Sequence, residues 1–228
     1  MKTEYWHQKW KSGDIAFNQP QCNKLLQRYF SVIDLPMGAR ILVPLCGKSI
    51  DMLWLAHQGY KVIGVELSPI ACEAFFNEHN IGVSVNHNGN ITVFKSEKIT
   101  LFAGDFFQFS KSTFGKIDGV YDRAALVALP AKLRQCYVQH LITLLETDSV
   151  IFLITTAYNQ KDMQGPPFSV DEHEVAVLYK DYFSIHQLYN KSIKTLPTHF
   201  RDKGLTQGNE QAYSLVFNGF KANTSEEK

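Results

Sequence analysis

The stretch Arg40–Ser68, RILVPLCGKSIDMLWLAHQGYKVIGVELS, decides the fold. Arg40–Pro44 is a short apolar run of the kind that forms a buried strand. Cys46-Gly47-Lys48-Ser49 reads as a tight turn with Ser49 at a helix N-cap. The helix expected from about Ile50 to Gln58 places Met52, Leu53, Leu55 and Ala56 on one broad apolar face, and Gly59 suits its C′ position. Lys61–Glu66 is a second buried strand, and it finishes on a carboxylate. Strand, helix and strand in this order predict a parallel pair with a right-handed crossover.

Such sheets bind ligands at the carboxyl ends of their strands, beside helix N-termini. Gly47 stands at the first such end and Glu66 at the second, nineteen residues later. An acidic residue at that distance is placed to bond both ribose hydroxyls of a nucleoside. A dinucleotide would need G-x-G-x-x-G, and only Gly47 is present. Gly47-Lys48-Ser49 imitates the end of a phosphate loop, but Leu42 stands where that motif needs its first glycine. S-adenosylmethionine, a nucleoside without phosphate, needs one close backbone approach and one ribose carboxylate.

Pro44-Leu45-Cys46-Gly47-Lys48-Ser49 with Asp51, followed by Gly64-Val65-Glu66-Leu67-Ser68, closely resembles the thiopurine S-methyltransferase family. The resemblance extends to Trp6-x-x-x-Trp10 with Phe17, to Tyr121–Leu129 (YDRAALVAL) and to Gly165-Pro166-Pro167-Phe168. It covers nearly the whole chain. It implies a Rossmann-like class I methyltransferase fold: an α/β domain whose mostly parallel sheet, read here as seven-stranded, has helices on both faces. It also implies S-adenosylmethionine as cofactor, with S-adenosylhomocysteine as product. Trp6, Trp10, Leu45 and Gly47 are then expected at the cofactor with Glu66, while Phe17 lies near the acceptor. The organisation expected is one domain: an N-terminal lid over 1–35, a core over 36–220 and a flexible tail over 221–228.

Composition narrows the partners. The chain has 228 residues, 45% of them hydrophobic, and a formal net charge of +1, which is ample for a core and offers no long-range attraction to nucleic acid or an anionic membrane. No apolar run approaches the ~20 residues that span a bilayer. The start, MKTEYWHQKWKSGD, lacks an apolar signal core, so a cytoplasmic location is expected. Cys22, Cys46, Cys72 and Cys136 form no C-x-x-C pair and the histidines no H-x-x-x-H pattern, so no metal is expected. The core is large enough for a monomer.

Along the rest of the chain, a helix is read over about Gln21–Val32 and another from Ser68-Pro69 to about His79. Asn86–Asn90 reads as a turn-rich loop before strands at Ile91–Phe94 and Ile99–Ala103. The latter ends at Asp105-Phe106, expected to meet the adenine through the Asp105 carboxylate and the Phe106 ring. Ile117–Tyr121 is the fourth parallel strand and is followed by Arg123, whose fork suits a carboxylate of the cofactor or an anionic acceptor. A helix over Pro130–Leu145, a strand over Val150–Ala157, a helix over Asp171–Tyr182 and closing strands at Ser184–Leu188 and Ala212–Phe217 complete the reading.

Gly165–Phe168 also resembles the D/N-P-P-Y/F loop of nucleic-acid amino-methyltransferases. It follows the fifth strand rather than the fourth and begins with Gly. Pro167 is therefore read as part of a rigid acceptor wall. The family resemblance places a second active-site arginine at Arg201.

The reaction so implied is in-line displacement of a sulfonium by a thiol, with selenium or tellurium compounds as alternative acceptors. Arg123 and Arg201 would stabilise the thiolate, and no general base is nominated. Three other readings stand beside it: a nicotinamide dehydrogenase, disfavoured by the missing glycines; a thiol hydrolase using Cys46; and a protein that binds S-adenosylmethionine without turnover.

Overall fold

The computed structural model describes residues 3–220, the His199 side chain excepted. The expected tail, 221–228, lies outside those residues, as do the first two residues of the expected lid. The strands are β1 (Arg40–Pro44), β2 (Lys61–Glu66), β3 (Ser84–Asn88), β4 (Ile91–Lys95), β5 (Ile99–Ala103), β6 (Gly119–Arg123), β7 (Val150–Ala157), β8 (Phe183–Ser192) and β9 (Asn209–Phe217). The α-helices are α1 (Thr3–Ser12), α2 (Lys24–Tyr29), α3 (Asp51–His57), α4 (Pro69–Glu78), α5 (Lys111–Phe114), α6 (Ala131–Leu144), α7 (Glu172–Tyr179) and α8 (Thr198–Arg201).

All nine strands form one sheet in the order β3-β4-β5-β2-β1-β6-β7-β9-β8. The five central strands, β5-β2-β1-β6-β7, are parallel, and each edge is finished by antiparallel strands. The expected count of seven is corrected to nine, chiefly because Ser84–Asn88 is a strand paired with β4 and not a loop. Every residue of β3 is exposed, so no burial alternation marks it in the sequence. From β1 the chain runs outward through β2 to β5, then returns to the other side at β6. The switch point is between β1 and β6, where α/β sheets open a crevice.

Helices cover both faces. Leu25 and Leu26 of α2, Met52, Leu55 and Ala56 of α3, and Cys72, Phe75 and Phe76 of α4 pack on one face with Ile41, Val43, Tyr121 and Phe152. Phe114 of α5, Tyr137 and Leu141 of α6, and Val175 and Tyr179 of α7 pack on the other with Leu42, Val120 and Leu153. The end of α3 follows its sequence signal. Gly59 takes φ 93°, its N–H reaches the Ala56 carbonyl at 3.1 Å, and the Tyr60 N–H reaches Leu55 at 3.2 Å. These are the two bonds of a Schellman motif.

Candidate active site

The turn after β1 is closed by the Cys46 N–H, which donates to the Val65 carbonyl at 2.9 Å. Leu45 adopts φ 49°, Gly47 φ 53° and, at the end of β6, Ala124 φ 66°. Left-handed backbone costs a non-glycine residue about 1–3 kcal/mol and persists where the surroundings over-determine it. Leu45 and Ala124 flank the switch point. The N-cap of the following helix is Ile50, which makes no side-chain cap bond, and not Ser49 as expected; one residue earlier, the Ser49 Oγ accepts from the Asp51 N–H at 3.3 Å.

Glu66 is 6% exposed at the end of β2. Its Oε2 accepts from the Gly47 N–H at 2.9 Å and its Oε1 from the Ser68 N–H at 2.8 Å. Burial lifts this carboxyl above its ordinary range, against the opposing pull of N–H groups from Ser68, Gly47 and Leu67 and of the Trp10 indole. Two residues on, the buried Ser68 Oγ has no hydrogen-bond partner among the described residues. Lys48, the cation of the turn, pairs with Glu78 of α4 and is not presented to a phosphate.

Above this carboxylate sits an aromatic cluster. Phe17 meets Trp6 edge-on at 5.5 Å and Trp10 edge-on at 5.4 Å between ring centroids. Trp10 is buried against Gly47, where an added Cβ would lie 3.1 Å from its Cζ2. A buried carboxylate, an orphaned hydroxyl and aromatic faces that attract a cation together fit a nucleoside bearing a sulfonium.

At the end of β5, Asp105 and Phe106 have different surroundings. The Asp105 Oδ1 accepts from the Phe107 N–H at 3.1 Å and so caps a 3-10 turn, while its side chain stays exposed. Phe106 is 4% exposed and packs inward, 5.4 Å from the Tyr137 ring and 5.1 Å from His140. It is a core residue at this position, and its neighbour Phe107 is the exposed ring. The alternation of buried and open positions in the turn decides which phenylalanine faces out.

Asp122 and Arg123 belong to β6 rather than to a loop after it. Arg123 does not pair with Asp122. Its Nε donates to the Asp51 Oδ2 at 2.6 Å and its Nη2 to the Ser49 Oγ at 2.8 Å. Asp51 is fully buried and also accepts from the Tyr121 hydroxyl at 2.8 Å and the Asn23 N–H at 2.8 Å. A buried ion pair is tolerated when further hydrogen bonds satisfy both charges, and these supply that condition. Reading the sequence did not assign Asp51, Asn23 or Tyr121 this role. The available signal was a carboxylate four residues before Leu55, at core spacing on α3. Burial, opposed by only a backbone bond, pushes the Cys46 thiol well above its ordinary value. Cys46 is a packed, protonated thiol and the hydrolase reading has no nucleophile.

The family model for thiopurine S-methyltransferase matches residues 1–217. The chain belongs to that family. The thiopurine S-methyltransferase of Pseudomonas fluorescens (strain Pf0-1) is 39% identical over 94% of this chain and 99% of its own length. That of Nitrosomonas eutropha is 41% identical over 94% and 98%. Among solved structures, a Burkholderia thailandensis 1,6-didemethyltoxoflavin-N1-methyltransferase with bound S-adenosylhomocysteine aligns at TM-score 0.63 and 14% identity, covering 94% of this chain and 87% of that one. A TehB-like methyltransferase from Corynebacterium glutamicum aligns at TM-score 0.54 and 16% identity, over 95% and 97%. These two share the fold. Family membership makes the chain an S-adenosylmethionine-dependent methyltransferase.

In this thiopurine S-methyltransferase family member, the Gly165–Phe168 loop docks beside the crevice. The Phe168 N–H donates to the Val127 carbonyl at 2.6 Å, the Tyr158 hydroxyl to the Pro167 carbonyl at 2.5 Å and Lys203 Nζ to the Pro166 carbonyl at 2.9 Å. Buried Arg134 bonds Glu174 and the Ser169 carbonyl and lies 5.8 Å from the Phe168 ring centroid. Pro167 is thus held to the segment that follows Arg123. A cleft of about 610 Å³, lined by Pro130, Arg134, Tyr158, Phe168 and Glu174 among others, flanks this loop rather than the Gly47–Glu66 turn. Arg134 and Glu174 in its wall pair with each other.

Arg201 is exposed on α8, its Nη2 bonded to the Thr198 Oγ1 at 3.3 Å. The structure shows no contact between it and Arg123, Asp51 or Glu66 among the described residues. Among those residues no group of three or more His, Cys, Asp or Glu is placed to hold a metal, and no helix is long and apolar enough to cross a membrane.

Proposed function

We propose that this methyltransferase acts on the thiol of a small aromatic or heterocyclic compound, of which thiopurines are one example. The observation that carries the reading is the aromatic group Trp6, Trp10 and Phe17 assembled over Gly47 and the buried Glu66 carboxylate. When bound, S-adenosylmethionine supplies a methyl group on a sulfonium, which leaves readily as a neutral thioether. Glu66 would hold the ribose hydroxyls, and Trp10 with Trp6 would cover the cation. Leu45 and Gly47 would bring backbone close to it. Arg123 would lend a fixed positive field to the acceptor side, since Asp51 and Ser49 already engage two of its nitrogens. Phe17 and Pro167 would wall the acceptor, and an electron-poor aromatic thiol would fit between them. Asp105, exposed at the next strand end, would still be open to an adenine amine.

The test is calorimetric titration of wild type and Glu66→Ala with S-adenosylhomocysteine, followed by methylation assays with aromatic thiols and with selenite as a second acceptor class. Binding that falls by a factor of about 100 or more in the variant, as loss of buried charge-assisted bonds implies, supports the ribose role. Unchanged binding in Glu66→Ala refutes it. Methylation of selenite but of no thiol would move the acceptor class.

A further inference from the structure

Glu210 opens β9 at the carboxyl edge of the sheet, where the register sets it opposite Thr156 of β7 and Lys191 of β8. Side chains alternate along a strand, so Glu210 shares a face with Ala212, which packs in the cluster that holds Tyr121. Arg123, two residues beyond Tyr121 on β6, projects from that same face. Its charge acts on Glu210 through space. Glu210 is half-buried, and among the described residues its carboxylate makes no hydrogen bond or ion pair. The other charges near it are accounted for. Arg123 is engaged by Asp51, and Lys191 is exposed with its Nζ 5.9 Å from the Tyr189 ring centroid. A half-buried carboxylate without a partner is costly to keep, and this one stands on the face of the sheet that also carries Arg123.

Resting on the thiol reading above, we infer that Glu210 is the proton acceptor for the incoming thiol. The S–H bond breaks, the proton passes to a Glu210 carboxylate oxygen and the electron pair stays on sulfur as the thiolate. The proton is returned to solvent after product leaves. Burial raises the Glu210 carboxyl above its ordinary value although Arg123 opposes this. A more basic carboxylate is better matched to a thiol. A thiol that is already ionised at neutral pH has no need of it.

The experiment compares wild type, Glu210→Gln and Glu210→Asp with 4-nitrobenzenethiol, benzenethiol and phenylmethanethiol, in order of falling acidity. S-adenosylhomocysteine titration of each variant serves as the folding control. Glu210→Gln is expected to lower kcat/KM for phenylmethanethiol at pH 7 by roughly 100-fold, the lower range for general-base loss, and to leave 4-nitrobenzenethiol nearly unchanged. Glu210→Asp should recover part of the loss. In wild type the phenylmethanethiol rate should rise with pH through a carboxylate limb that Glu210→Gln lacks. Equal losses across the three thiols, or none, overturn the role while leaving the thiol reading intact. Wild type that methylates no thiol overturns both.

Discussion

Asp122 offers the sharpest test of the buried electrostatics. It is fully buried on β6, where its Oδ2 accepts from the Tyr137 hydroxyl at 2.7 Å and its Oδ1 from the Leu126 N–H at 3.1 Å. Burial outweighs these bonds and lifts its carboxyl from the ordinary 3.8 to about 6. The gap of about two pH units corresponds to about 3 kcal/mol in favour of the protonated form in the folded state. Between those two pH values the folded protein keeps a proton that the unfolded chain has released. The stabilisation from this residue is therefore complete below the unfolded value and lost as pH rises through about 6.

Asp122→Asn imitates the protonated form. Its amide oxygen can accept from the Leu126 N–H, and its amide nitrogen can donate to the Tyr137 oxygen. Urea unfolding of both proteins at pH 4.5, 6 and 7.5 gives a difference in which the other titrating groups cancel. The variant should gain on wild type as pH rises, by about 2 kcal/mol between pH 4.5 and 7.5, the part of the full effect that lies above pH 4.5. A difference that stays flat with pH would refute the raised carboxyl and the account of why it is raised.

Two further expectations follow from packing. A Cβ at Gly64 would lie 2.4 Å from Leu101 Cδ2 and 2.7 Å from Cys46 Sγ, so Gly64→Ala should cost about 1–3 kcal/mol of stability and lower Tm; an unchanged Tm would contradict the close approach. In alkylation followed by mass spectrometry, exposed Cys136 should react first and Cys22, with its thiol pushed up to about 12 by burial and Asp51, should lag. Buried Cys46 and Cys72 should react only on unfolding; modification of Cys46 as fast as Cys136 would contradict its burial.

What could be read in advance divides along physical lines. The β1–α3–β2 unit was legible because each of its signals is local: an apolar run, Gly59 at a positive φ, Glu66 at a strand end. Strand β3 was not, since Val85 is the one apolar residue of Ser84–Asn88 and the run carries no period. Asp122 and Arg123 look like loop residues by type and are strand residues because Tyr137 and Asp51 satisfy them. Those partners lie 15 and 72 residues away. Phe17, Trp6 and Trp10 came with the family resemblance, and the structure brings them together. Glu210 needed the register of β9, which no single-strand pattern reports.

The bond from the Asn23 N–H to Asp51 has a mechanical meaning. It moors the chain to the sheet at residue 23, while α1 ends at Ser12. The intervening tether is about ten residues, which fully extended spans about 33–36 Å. Any displacement of the helix that carries Trp6 and Trp10 would be taken up upstream of the mooring, where Phe17 packs on both rings. Asp51 and Arg123, held by bonds on the far side of that mooring, would feel no pull from it.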